Sequence, residues 1–211
     1  MPRIAPLRIR PTLLQLSVRR RPGDEPYLRA YPLLLAALRD RVVTPTVFVE
    51  AAHMAYGWMP TALSLSPRDA AEPFLAEAAL VERVRGGGAL LTADELGYLA
   101  SSMTDKDGSV IGLSKVLHFI CPERYAIWDT RIYAFLYPGE AGPMKKPNYV
   151  SVNRVGRYMT YHDELASLIA LPDFQPFHDR VNRDLGYAVT AMRAAEVVMF
   201  SNAPAFIAKA R

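Results

Sequence analysis

One lysine and one aspartate in the middle of the chain are the residue types that amine chemistry needs. In the stretch GLSKVLHFICPERYAIWDTRIY, Lys115 begins an apolar run and Asp129 follows fourteen positions later, before a second apolar run. A lysine amine is a nucleophile when it is deprotonated, and burial among apolar groups favours that form. An aspartate at the head of a helix is a fixed acceptor that can stabilise a cationic transition state. Together they could attack a sugar C1′ and support the positive charge that develops there.

The same two residues also fit ordinary helix boundaries. Asp129 directly precedes TRIYAFLY, which is the position of an N-cap, and a cap alone stabilises a helix by about 1 kcal/mol. The ammonium of Lys115 could extend into solvent from a helix end. From the residues alone, a catalytic pair and two consecutive helices both explain the pattern.

The chain as a whole is predicted to be mainly α-helical, with seven or eight helices. Apolar residues recur at three- and four-residue spacing between Tyr27 and Val43. Start signals are Thr44 with a following proline, and Thr92 with a glutamate three residues later. Further helical units are expected from the Ser-Pro pair at 66–67 to the glycines at 86–88, and over 113–121, 129–137, 151–171 and 177–202.

A basic N-terminal arm is predicted over residues 1–26, followed by one helical domain over residues 27–211. The first 26 residues contain five prolines and six arginines. Within them, TLLQLSV is expected to form a short strand or one helical turn, and RRRPGDEP a turn or linker. A chain of 211 residues suits one large domain with a small appendage.

The formal charge of +4 is spread unevenly along the chain. Residues 1–41 carry +6, residues 42–119 carry −4, residues 120–160 carry +3 and residues 161–211 carry −1. Basic segments of this kind are typical of proteins that contact nucleic acid. They are equally typical of a solvated surface with a basic tail.

Several other classes of site and location are not indicated. The sequence has neither a phosphate-binding Gly-x-x-x-x-Gly-Lys-Ser/Thr loop nor a Gly-x-Gly-x-x-Gly motif. The single Cys121 excludes an internal disulfide and is expected to be structural, and four scattered histidines lack ligand spacing. We therefore expect no metal and no cofactor. The chain lacks a long apolar run and a secretion signal, so we expect a cytoplasmic protein with no membrane partner.

The order of residues around the lysine and the aspartate carries a resemblance. Ile111-Gly112 precedes Lys115, Val116–Ile120 is apolar, and Asp129 stands within IWDTRI. This order resembles the catalytic segment of the helix-hairpin-helix DNA glycosylase superfamily, in which a glycine-containing hairpin is followed by a lysine in the bifunctional members. The resemblance implies a multi-helix fold of that type, with Lys115 as Schiff-base nucleophile and Asp129 as the catalytic carboxylate.

The segment departs from that family in three places. DGSVIGLSKVL lacks the hairpin proline and has two residues between Gly112 and Lys115, where the family usually has one. The interval from Lys115 to Asp129 is also shorter by about four residues, which is about one helical turn, so a shortened helix could still present both side chains on one side. The four-cysteine iron–sulfur cluster of some members cannot form with Cys121 alone. The stretch from Ser114 to Asp129 also resembles a group of bacterial proteins with an SK-x-LHF…P…Y-x-I-x-D segment.

The resemblance implies DNA as the partner, and aromatic and basic residues near the segment fit that role. Aromatic side chains can stack on a base or wedge into a duplex, and basic ones can meet phosphates. In the alternative interpretation, the aromatic side chains belong to the core and the basic side chains lie on a solvated loop. The leading expectation is base recognition or excision on DNA, and the other is a non-catalytic helical binding module in defence or regulation. The candidate DNA-binding residues are Tyr125, Trp128, Arg131, Lys145, Lys146, Arg154 and Arg157.

Overall fold

The computed structural model describes residues 11–21, 23–59, 62–104, 108–140 and 147–204, and every regular element in these ranges is helical. The expectation of a mainly helical chain is therefore confirmed. The elements are a 3₁₀ helix, Pro11–Gln15, and the helices α1 Glu25–Leu38, α2 Pro45–Trp58, α3 Leu75–Arg85, α4 Ala93–Ser101, α5 Val110–Ile120, α6 Thr130–Leu136, α7 Tyr149–Val152, α8 Val155–Ile169, α9 Phe174–Leu185 and α10 Ala191–Asn202.

Side-chain caps set the starts of several helices as the sequence predicts. Thr44 accepts a hydrogen bond from the Val47 amide at the start of α2. Thr92 and Glu95 form a reciprocal capping box at α4. Asp129 caps α6. These caps satisfy amide groups that the first turn of a helix leaves without an intrahelical partner.

Other boundaries differ from the sequence-based expectation. Helix α3 begins at Leu75, after Phe74 in a left-handed conformation, and not at the Ser-Pro pair nine residues earlier. The unit expected over 177–202 is two helices, because Gly186 adopts a φ of 82° and ends α9. The unit expected over 151–171 is likewise divided, into α7 and α8. Because these two breaks are short local turns, apolar periodicity alone passes over them.

The chain divides into two compact units. The middle unit runs from Arg21 to Ile127 and contains α1 to α5. The terminal unit combines the chain up to Arg20 with the chain from Trp128 onwards, and it contains the 3₁₀ helix and α6 to α10. The division at residue 26 expected from the sequence stays a prediction.

Helix α5 is the buried centre of the middle unit, where it packs against α1, α2, α3 and α4. Ten of its eleven residues are buried. Gly112 lies where α5 meets α2, and a Cβ atom there would stand 2.2 Å from the hydroxyl oxygen of Tyr56 and 2.6 Å from two of its ring carbons. A glycine at this position therefore allows two helices to approach closely.

Helix α10 has the corresponding place in the terminal unit, where it contacts α6, α8, α9 and the 3₁₀ helix. The segment after the 3₁₀ helix is bound to α9 and α10 through its backbone. The Val18 amide donates to Asp184 at 3.2 Å, the Arg19 amide donates to Ser201 at 3.0 Å, and Arg180 donates to the Leu16 carbonyl at 3.1 Å. Residues 1–10 of the predicted basic arm lie outside the described residues. No helix among the described residues has the length and apolar character needed to cross a membrane.

Candidate functional site

Lys115 lies inside the middle unit. Its helix begins where Ser109 accepts a hydrogen bond from the Gly112 amide at 2.9 Å. Lys115 is only 3% exposed, because the neighbouring residues of α5 pack against the other helices of this unit. The alternative in which its ammonium extends into solvent from a helix end does not match this position. A fully buried lysine is rare in proteins unless it is paired.

Buried hydrogen bonds join Tyr31, His118 and Tyr125, and His118 lies three residues after Lys115 on α5. The Tyr31 hydroxyl lies 2.7 Å from His118 Nε2, and His118 Nδ1 lies 2.7 Å from the Tyr125 carbonyl oxygen. Since a carbonyl oxygen only accepts, Nδ1 carries the hydrogen, and in the neutral ring Nε2 accepts from the tyrosine hydroxyl. His118 therefore ties α1 and the connection after α5 to the helix that carries Lys115.

Tyr125 and Cys121 follow α5 and are buried in the same unit. Tyr125 is 2% exposed, and its hydroxyl accepts a hydrogen bond from the Leu91 amide at 2.9 Å. Its ring therefore has no free face for stacking on a base in this structure. Burial raises the pKa of the Cys121 thiol to about 11. Such a thiol holds little thiolate at neutral pH, which fits the structural role expected of this cysteine.

Asp129 lies in the terminal unit and caps α6 with its side chain. One carboxylate oxygen, Oδ1, accepts from the Arg131 amide at 2.8 Å and from the Ile132 amide at 3.0 Å. The side chain is half-buried. The capping role considered from the sequence is thus present, and it holds a carboxylate in a fixed orientation.

Trp128 is fully buried beside this cap. Its indole Nε1 donates to the Val152 carbonyl oxygen at 2.8 Å, and its ring packs 5.0 Å from the ring of Tyr161 and 5.9 Å from that of Tyr133. A tryptophan held in this way joins α7 and α8 to the start of α6. It does not present a ring to a duplex in this structure.

A buried ion pair lies on α10. Arg193 and Glu196 bond to each other one turn apart and are both almost completely buried. Burial raises the pKa of Tyr161 well above its usual value, and the charges of Glu196 and Asp129 raise it further. The cap carboxylate therefore stands within electrostatic reach of this buried tyrosine and ion pair.

Arg157 is held by a carboxylate and two aromatic rings. Its two terminal nitrogens donate to Glu140 at 3.1 and 3.2 Å, and its guanidinium carbon lies 4.4 Å from the ring centre of Tyr137 and 5.4 Å from that of Tyr133. The Tyr133 hydroxyl donates to the same carboxylate at 2.5 Å. This cluster joins α6, the turn after it and α8.

The other basic candidates have different surroundings. Arg154 is exposed at the start of α8, and its charge contributes to lowering the pKa of Glu140. Arg131 lies over the ring of Phe200 at 4.4 Å and is half-buried. Lys145 and Lys146 lie outside the described residues. Arg157 is thus bonded to Glu140, the charge of Arg154 also acts on that carboxylate, and Arg131 contacts a different aromatic ring.

Several buried polar groups escaped the sequence interpretation. Glu77 is fully buried on α3 and accepts a hydrogen bond from the Ser102 hydroxyl at 2.9 Å. His118 stands inside the apolar run KVLHFI, and this position is the sequence signal for a buried histidine. In the part of the chain that the structure describes, His, Cys, Asp and Glu side chains do not form groups of three that could hold a metal ion.

Comparisons with protein-family models, with curated proteins and with solved structures found no match for this chain. The chemistry of its own residues therefore has to support any functional proposal.

Proposed function

We propose that the chain binds DNA and recognises or excises bases, with Lys115 as the amine nucleophile and Asp129 as the carboxylate that stabilises positive charge. The observation that supports this proposal is the burial of Lys115 in α5. Removing an ammonium group from water is costly, and most lysines avoid it. Burial among apolar groups favours the neutral form of a lysine amine, which is the form that the proposed chemistry needs.

The proposed step is a substitution at C1′ of the sugar. The neutral amine of Lys115 forms a bond to C1′, the C1′–N bond to the base breaks, and the base leaves with the electron pair and takes up a proton. The attached nitrogen releases one proton to water. Its lone pair then forms the C=N bond while the C1′–O4′ bond breaks, and O4′ leaves with that electron pair and takes up a proton from water. The product is a protonated imine between Nζ and C1′. The carboxylate of Asp129 stabilises the positive charge that develops on the sugar in the transition state.

Basic side chains of the terminal unit support the DNA part of the proposal. Arg154 is exposed, and Arg157 carries a planar fork of the shape that suits a phosphate, which Glu140 holds in this structure. Contacts of this kind release counterions from DNA, so the affinity should fall steeply as salt is raised. The uneven charge of the sequence, with +3 over residues 120–160, agrees with a basic surface in this unit.

A second candidate is a helical binding module without chemistry. The observation that favours it is the burial of both aromatic residues expected to stack on a base. Tyr125 and Trp128 are each enclosed and hydrogen-bonded. In this alternative Lys115 stabilises the core of the middle unit, and substitutions of it change stability alone.

Borohydride trapping on duplexes that carry an abasic site or a damaged base separates the two candidates. Borohydride reduces an imine between enzyme and sugar to a stable amine, so a covalent adduct reports the nucleophile. The test variant is Lys115→Arg, which keeps a long basic side chain and removes the nucleophilic amine. The matched control is Lys106→Arg, in the polar segment TDKDGSVIG.

We expect an adduct with the wild type and with Lys106→Arg, and none with Lys115→Arg. Circular dichroism and thermal melting of all three proteins check that the variants are folded. The absence of a Lys115-dependent adduct across a broad panel of lesions would refute the nucleophile. DNA binding that persists in that case would favour the non-catalytic module.

A further inference from the structure

The cluster around Arg157 has the donor arrangement of an anion site. Two parallel N–H groups of the guanidinium and the hydroxyl of Tyr133 all donate to one carboxylate, that of Glu140. The guanidinium plane is fixed because it stacks on Tyr137 and Tyr133. A planar fork with fixed orientation suits the paired oxygens of a phosphate as well as it suits those of a carboxylate.

The anion now in this site belongs to the chain itself and lies on a turn. Glu140 follows α6 in the turn at 138–140, and its side chain is 46% exposed, whereas that of Arg157 is 12% exposed. The arginine is therefore the anchored partner, and the glutamate is the one that reaches water. The pair is bidentate, which makes it stronger than most exposed ion pairs, so an anion that replaces the glutamate must offer the same paired oxygens.

The charge states of the cluster suit an occupied anion site at neutral pH. The hydrogen bond from Tyr133, followed by the bonds from Arg157, lowers the pKa of Glu140, so this group remains a carboxylate. Burial, followed by the bond to Glu140, raises the pKa of Tyr133 to about 12, so its hydroxyl keeps its proton and donates. The charge of Arg154 also acts on Glu140. One carboxylate thus offsets two arginines that are three positions apart.

We propose that Glu140 occupies the fork of Arg157 in place of a DNA backbone phosphate, and that DNA binding displaces it. This inference rests on the proposed DNA-binding function and adds a self-blocking contact to it. In the closed state Glu140 reduces the positive charge available to DNA. When Glu140 leaves, the guanidinium and the Tyr133 hydroxyl can both donate to one phosphodiester.

The experiment compares Glu140→Gln with a matched control of equal charge change. Glu95 forms the same two-point bond with Arg83, at 2.8 and 3.0 Å, in the middle unit. Glu95→Gln keeps the capping box, because glutamine serves there as well as glutamate. Fluorescence anisotropy of a labelled 20-base-pair duplex is measured with the wild type and both variants from 50 to 200 mM KCl. The double variant Glu140→Gln/Arg157→Gln is measured alongside.

We expect Glu140→Gln to bind up to about fivefold more tightly than Glu95→Gln at low salt, which is the factor that corresponds to a lost exposed competitor. Its plot of log affinity against log salt should be steeper by about 0.9, the value for one additional phosphate. The double variant should lose both gains. The gains in affinity and in salt dependence require the charge of Arg157. Thermal melting of each variant checks that its fold is unchanged.

Each remaining outcome is decisive. If the wild type binds DNA and Glu140→Gln behaves as Glu95→Gln does, the self-blocking contact is refuted and DNA binding stands. If Glu140→Gln binds more weakly than the control, Glu140 positions Arg157 and does not mask it, and the inference also falls. If neither the wild type nor Glu140→Gln binds the duplex, both the inference and the proposed DNA-binding function fall.

Discussion

Gly112→Ala should destabilise the middle unit, although alanine is the better helix former. The new Cβ atom would lie 2.2 Å from the Tyr56 hydroxyl oxygen and 2.6 Å from two of its ring carbons. Because Tyr56 is buried and its ring is part of the conflict, a simple rotation of the hydroxyl does not relieve it. Overpacking of this kind costs up to about 3 kcal/mol, and the better helix propensity of alanine returns about 1 kcal/mol. The net loss is therefore up to about 2 kcal/mol.

Urea unfolding at 25 °C, followed by circular dichroism, measures this loss as a lower midpoint. Gly97→Ala in α4 is the matched control, since a Cβ there has no atom within 4 Å, and we expect it to stabilise the protein by about 0.5–1 kcal/mol. Tyr56→Leu should restore part of the stability of Gly112→Ala, because it removes the ring. If Gly112→Ala were as stable as Gly97→Ala, the packing role of this glycine would be wrong.

Two further predictions concern Asp129 and Cys121. Asp129→Ala should lower the free energy of unfolding by about 1 kcal/mol through loss of the cap, whereas Asp129→Asn should keep it, since asparagine caps as well. Urea midpoints check this, and equal losses in both variants would show that the charge matters to stability more than the cap. Cys121, whose pKa is raised to about 11, should react with iodoacetamide at pH 8 about 100-fold more slowly in the native protein than in urea. Mass spectrometry measures both reaction rates. Equal rates in the native protein and in urea would contradict the burial of Cys121.

Capping chemistry was the most readable part of the fold. The starts of α2, α4 and α6 follow from Thr44, Thr92 and Asp129, because a short polar side chain before an apolar run satisfies amide groups without help from distant residues. The breaks within the two helical segments expected over 151–171 and 177–202 were harder to predict. Gly186 is a stop signal of the right kind, but glycines are tolerated within helices and one letter does not reveal its φ of 82°.

The surroundings of the candidate residues were the least readable part. Helix α5 is apolar on all sides, so its periodicity does not say whether Lys115 faces the core or water. Its burial depends on four helices that pack around it, and these contacts are distant in sequence. Arg157 likewise looked like a solvated basic residue, because its partner Glu140 lies seventeen positions earlier, on a turn whose path follows from tertiary structure. Residue type and charge were predictable at these sites, whereas partners were not.

Peptide mapping of the borohydride-reduced complex is the most direct test of the proposed chemistry. The chain has five lysines, and digestion followed by mass spectrometry identifies the one that carries the sugar fragment. Our proposal predicts that the fragment is attached to the peptide containing Lys115, and that Asp129→Asn lowers its yield while the protein stays folded. A fragment attached to any other lysine, or to the N-terminal amine, would contradict Lys115 as the nucleophile.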